Sequence, residues 1–164
     1  MRAYTRIAIL NGMAAEPSGL ADLPCVCSQL RRTSRLVSVL YDSTLEPAGV
    51  TVTQYAVLAR IGRVDGFSRT ALAAQLGMDR TTLTRNLLPL ERAGLVTSKP
   101  GEDRREKLLH LTPAGKKKVT AARPYWVSAQ RKILNHMGLE RLRELRKLLA
   151  QTEGVRALGI VRPK

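Results

Sequence analysis

Hydrophobic positions recur at helical spacing along most of the chain and at strand spacing in one place. Residues 1–21 carry no sustained period and include Pro17, Ser18 and Gly19, so residues 1–22 read as an N-terminal arm. From Leu23 to about Leu45 the pattern turns helical: Val26, Leu30, Val37, Leu40 and Tyr41 share a stripe, while Arg31, Arg32 and Arg35 lie off it. Pro47 and Gly49 punctuate the chain between Glu46 and Gly49. Thr51 and Gln54 stand at capping-box spacing and open a second helix through Tyr55, Val57, Leu58 and Ile61. A short polar link from Arg63 to Phe67 follows.

The stretch from Ser68 to Gly94 predicts two short helices meeting at a tight turn. Ser68 can cap a helix with apolar positions Ala71, Leu72 and Leu76, and Gly77 stands where a helix ends in a left-handed residue. Asp79 offers a side-chain oxygen to the next orphan amides, and Leu83, Leu87 and Leu90 recur at helical spacing until Gly94. Between those leucines stand Arg80, Thr81, Thr82, Thr84 and Arg85. Two helices, a glycine-containing turn and a donor-rich second helix make a helix-turn-helix. Such a helix fits a major groove about 12 Å wide, where arginine can grip guanine and a threonine methyl can meet thymine. The plain alternative for these five residues is a solvated helix face. Pro89, inside the second helix, removes a backbone bond and is expected to bend its axis beyond the base-reading turns.

After Gly94 the period becomes that of strands. Leu95 to Lys99 and Lys107 to Leu111 read as a β-hairpin with a polar turn from Pro100 to Arg105, behind the second helix where a winged helix-turn-helix carries its wing. Thr112 and Pro113 suit the cap and first turn of a long helix with Val119, Ala122, Trp126, Ala129 and Ile133 on its buried face, and Pro124 is expected to bend it. Gly138 breaks that helix, and Leu139, Leu142, Leu145, Leu148 and Leu149 define a last one. The expected fold is mainly α with a small β-hairpin wing. A winged helix-turn-helix module occupies residues 51–112, with dimerisation helices over 23–46 and 113–164. Those terminal stripes exceed what a module of that size can cover, so they are expected to pack on one another or on a second copy. A symmetric dimer would set two reading helices about 34–36 Å apart, one DNA turn.

Charge changes the picture by naming the partner's sign. There are 28 Lys and Arg against 13 Asp and Glu, a formal charge of +15 and a pI near 10.9. That balance points to a polyanion, nucleic acid or an anionic membrane face. Most of the excess lies late: residues 112–164 hold thirteen basic and three acidic side chains, part of which is solvated helix face on the bland reading. No apolar run approaches the roughly 18 residues of a membrane span, and Ile7 to Leu10 is too brief for a secretory core, so a cytoplasmic protein is expected. Either Met1 or Met13 can serve as the start.

With Asp79-Arg80-Thr81-Thr82-Leu83-Thr84-Arg85 running into Leu90-Glu91-Arg92-Ala93-Gly94-Leu95-Val96, and Asp103-Arg104-Arg105 followed by Leu109, Leu111 and Thr112-Pro113-Ala114-Gly115, the chain resembles the MarR family of bacterial transcriptional regulators from about Pro24 to Gln151. The resemblance implies a homodimer bound to a palindromic operator on double-stranded DNA, with a small phenolic or aromatic acid loosening the grip. It implies that Arg105 and Arg104 enter the minor groove, where a narrow groove's negative potential attracts guanidinium, and that Asp103 orients them by an ion pair.

The remaining candidates each carry two readings. Arg69 and Lys116 to Lys118 are either phosphate contacts or solvated charge. Arg35, Tyr55 and Trp126 are either an effector pocket, with Arg35 facing a carboxylate, or core and dimer packing. Cys25 and Cys27 are either small intracellular residues or, with a thiol near a helix start, a peroxide sensor. Their spacing on a helix points the two thiols apart and argues against a bridge. His110 and His136 belong to no metal-ligand cluster, so no metal and no cofactor are expected. The chain has no Gly-rich phosphate loop, no H-E-x-x-H and no cysteine–histidine grouping, so no enzyme is read. Against the sequence-specific regulator stands one rival from another class, a nonspecific architectural DNA protein relying on charge.

Overall fold

The computed structural model describes residues 23–64, 66–101 and 107–155. The described residues fall into two units that divide between Leu36 and Val37. Six helices and a small sheet follow in the order α1 (Val26–Leu45), a 3-10 turn (Glu46–Ala48), α2 (Val52–Ile61), β1 (Phe67–Ser68), α3 (Arg69–Leu76), α4 (Arg80–Arg92), β2 (Val96–Pro100), β3 (Lys107–Leu111), α5 (Pro113–Met137) and α6 (Leu139–Glu153).

Local chemistry sets most of these boundaries. The Thr51 hydroxyl accepts from the Gln54 amide at 3.2 Å while the Gln54 side chain accepts from the Thr51 amide at 3.0 Å, a reciprocal capping box. Ser68 caps α3 by accepting from the Ala71 amide at 3.1 Å. The turn into α4 passes through Gly77 at φ 64°, a left-handed position that spares a side chain only in glycine. α1 begins at Val26, later than the periodicity suggested, because the backbone ladder opens with the Cys25 carbonyl accepting from Gln29 N, just past Pro24.

The observed architecture departs from the expected one at the sheet. The link from Arg63 to Phe67 ends in a strand: β1 pairs antiparallel with β3, Phe67 opposite Leu109 and Ser68 opposite Leu108. The wing strands β2 and β3 are therefore part of a three-stranded sheet in the order β1-β3-β2, with β3 in the middle, rather than a free hairpin. β2 starts at Val96, since the Leu95 amide closes α4 by donating to the Leu90 carbonyl at 2.9 Å. Pro89 does not interrupt α4, which runs to Arg92 with Leu90 buried behind the proline.

Leu45, Val57, Leu58, Ile61, Leu72, Leu83, Leu87 and Leu109 form the fully buried centre of the larger unit, so α2, α3, α4 and the sheet share one core with the end of α1. The start of α5 is locked to this core. The Thr112 hydroxyl donates to the Gly94 carbonyl at 2.6 Å and accepts from the Gly115 amide at 3.0 Å. A Cβ at Gly115 would collide with the Leu95 carbonyl oxygen, so only glycine lets the first turn of α5 approach the end of α4 this closely. Side chains far along the chain close the remaining gaps: the Val52 amide donates to Asp42 Oδ1 at 2.6 Å, and Lys118 Nζ donates to the Ala48 carbonyl at 3.1 Å.

Candidate nucleic-acid interface

α4 divides its residues sharply. Leu83, Leu87 and Leu90 are buried on one side; Arg80, Thr81, Thr84 and Arg85 are exposed on the other. Four of the five residues expected on the reading face thus share the solvent side. Thr82 is half-buried and turned to local work. Its amide donates to Asp79 Oδ1 and its hydroxyl to Asp79 Oδ2, both at 2.8 Å. Those two bonds, the amide's first, hold the Asp79 carboxyl below the usual carboxylate range. The Thr84 hydroxyl donates to the Arg80 carbonyl at 2.8 Å, and the Asn86 side-chain amide donates to the Thr82 carbonyl at 2.8 Å. On the exposed side the Thr84 hydroxyl is thus engaged within the helix, which leaves the Thr81 hydroxyl and the guanidiniums of Arg80 and Arg85 as donors toward a ligand.

Arg69 stands differently from its expected place among phosphate contacts. Its Nη2 pairs with Glu91 Oε1 at 2.8 Å and reaches Ser98 Oγ at 3.5 Å, tying the start of α3 to the end of α4 and to β2. Nothing local in the sequence links positions 69 and 91, so this brace was not legible. Lys116 and Lys117 are exposed on the first turn of α5, whereas Lys118 is committed to Ala48. Asp103, Arg104 and Arg105 lie outside the described residues, in the segment that joins β2 to β3.

Tyr55 of α2 and Trp126 of α5 stack with centroids 5.9 Å apart and planes 30° apart. Tyr55 is buried, and that burial pushes its hydroxyl up against the opposing pull of Arg123 and Arg63. Arg35 belongs to the smaller unit. A shallow surface depression is lined by Asp42, Glu46, Gly49, Val50, Thr51 and Gln54, and neither ring of the Tyr55–Trp126 pair is among its lining. Cys25 and Cys27 are free and exposed. Bonds from the Ser28 amide and then the Ser28 hydroxyl hold the Cys25 thiol below its usual range, with Arg31 adding to the effect. Among the described residues no group of three or more His, Cys, Asp or Glu is placed to hold a metal, and no helix is long and apolar enough to cross a membrane.

Comparison with known proteins agrees with this geometry. A family model described as the MarR family matches residues 48–106. An uncharacterised helix-turn-helix transcriptional regulator of Bacillus subtilis, YwoH, is 32% identical over 90 residues, which span 55% of this chain and 66% of that protein. The structure of the Mycobacterium tuberculosis transcriptional regulator MosR in complex with DNA is 36% identical, with a TM-score of 0.70 over 80% of this chain and 98% of that one. A probable transcriptional regulator from Pseudomonas aeruginosa is 26% identical, with a TM-score of 0.72 over 77% of this chain and 96% of that one.

Proposed function

This chain belongs to the MarR family of transcriptional regulators, and from that premise we propose that it is a homodimeric, sequence-specific repressor that holds a palindromic DNA operator and releases it to a small aromatic or phenolic ligand. The observation that carries the reading is α4: a capped helix whose leucines are sunk in the core and whose opposite side presents Arg80, Thr81, Thr84 and Arg85 to solvent. Guanidinium groups on such a face suit guanine O6 and N7, and exposed charge around it suits phosphate. MosR, a relative whose structure holds DNA, supports DNA as the partner of this chain.

The second copy is supported by α6, in which no residue is buried and Leu139, Leu148 and Leu149 stand exposed. The terminal helices, residues 23–46 and 113–164, are assigned to that contact, and the site of action to the cytoplasm. The wing residues Arg104 and Arg105 are assigned to the minor groove, oriented by Asp103. The stacked Tyr55–Trp126 pair supports an aromatic effector near the junction of α2 and α5.

Competition titration at physiological salt tests the whole reading. A regulator prefers its operator over random duplex by about a thousandfold or more, and Arg105→Ala weakens that binding while the dimer survives. Equal affinity for operator and random duplex establishes the architectural rival instead.

A second reading, oxidation control through Cys25, is favoured by one observation: its thiol is exposed and held below its usual range at the start of α1. Peroxide then weakens operator binding of the native protein but not of Cys25→Ser. Equal binding before and after oxidation removes it.

A further inference from the structure

Leu88 stands out on the DNA-facing side of α4. It is 44% exposed, and among the described residues of 66–101 and 107–112 it is the one large apolar side chain so open to water. A lone exposed leucine elsewhere on a surface needs no partner. This one occupies the centre of the outward face. Thr81, Thr84 and Leu88 stand at i, i+3 and i+7, and Arg85, Leu88 and Arg92 repeat that spacing, both rows opposite Leu83, Leu87 and Leu90. The row from Thr81 to Leu88 runs about 10 Å along the helix axis, close to three base-pair steps.

The hydrogen bonds on the same face decide what it can recognise. The Thr84 hydroxyl proton is donated to the Arg80 carbonyl, so Thr84 cannot donate to a base acceptor without breaking that bond. Thr82 and Asn86 donate within the helix as well. Leu88, with Thr84 one turn before it, is the apolar part of this face; Arg85 and Arg92 stand on either side of Leu88 along the helix, and Thr81 at the start of the row keeps its hydroxyl outside the helix's own bonds. In the major groove only one base edge is apolar, the C5-methyl of thymine; guanine, adenine and cytosine present donors and acceptors alone. Resting on the reading that α4 enters that groove, we propose that Leu88, with Thr84, selects operator positions by burying thymine methyl groups. The arginines on either side supply the grip on guanine and phosphate.

The test needs no prior operator. The purified full chain selects a preferred duplex from a random pool, and that duplex is then synthesised with each half-site thymine replaced in turn by uracil, which removes the methyl alone. Native protein is expected to lose about fourfold in affinity per methyl contacted, the equivalent of one buried methyl-sized group. Leu88→Ala, at an exposed position, is expected to bind thymine and uracil duplexes alike at the position Leu88 reads. Thr84→Ser, which keeps the hydroxyl bond and drops one methyl, gives the same loss of preference at a neighbouring step. If native protein ignores the substitution, or Leu88→Ala keeps the full thymine preference, the assignment is overturned while the DNA reading stands. A chain that selects no duplex at all overturns the DNA reading itself, and this inference with it.

Discussion

α4 and α6 are written in the same alphabet and end in opposite conditions. Both are helices rich in leucine and basic residues. α4 buries Leu83, Leu87 and Leu90 almost completely. α6 buries nothing, with Leu139 and Leu148 each 51% exposed and Leu149 41% exposed. The pattern of a helix states how much apolar surface must be covered; it does not state by what. For α4 the cover is α2, α3 and the sheet, and its outer face is therefore free for another molecule. For α6 the described residues cover Leu142 and Leu145 only in part and leave Leu139, Leu148 and Leu149 open, so those three leucines are the surface left for a partner.

The contrast can be broken most forcefully at a leucine from each helix. Leu87→Ala opens a cavity in the core and should lower unfolding free energy by about 2–5 kcal/mol in denaturant titration. Leu148→Ala should change the folding of one subunit by no more than about 0.5 kcal/mol, and should instead shift sedimentation toward the single chain. A Leu148→Ala variant as destabilised as Leu87→Ala would erase the distinction.

Gly115→Ala comes next. The added methyl must displace the Leu95 carbonyl, a backbone atom that cannot rotate away, so a loss of about 1–3 kcal/mol is expected in thermal unfolding. Because that carbonyl follows the end of α4, DNA affinity should fall with stability. In Arg85→Ala the two separate: operator affinity drops by about 1–3 kcal/mol in a gel-shift titration, discrimination relaxes at one operator position, and the melting temperature holds.

The smallest effect is a pH dependence at the α4 cap. Asp79 is depressed by accepting from Thr82, so its contribution to stability is complete above the ordinary carboxylate range and fades as pH falls through its lowered value. The difference in melting temperature between native protein and Asp79→Ala should therefore shrink on acidification below about pH 4. A difference that holds constant down to pH 2 would show that the carboxylate charge is not what caps the helix.

What the sequence disclosed was local. Thr51, Ser68, Asp79 and Thr112 act as the caps their spacing announced, because a cap reaches only two or three residues along the chain. The exposed side of α4 followed for the same reason: once Leu83, Leu87 and Leu90 are assigned to the core, the opposite side is fixed by 3.6 residues per turn. The features that escaped are long-range. β1 is two residues long, too short to show a period, and exists because β3 offers Phe67 and Ser68 a ladder some forty residues later. Arg69 read as free charge until the fold brought Glu91 beside it, and Asp42 gave no hint that it would hold the Val52 amide. Leu88 was hidden differently. In sequence it is one more leucine in a leucine-rich helix, and only its exposure separates it from Leu87.

Protection of guanine N7 from methylation along the preferred duplex tests the central claim most directly, since N7 faces the major groove that α4 is held to enter. Two protected patches about 10 base pairs apart, both lost in Arg85→Ala, are the predicted result. A single patch, or uniform protection indifferent to Arg85, would contradict paired reading helices in adjacent major grooves.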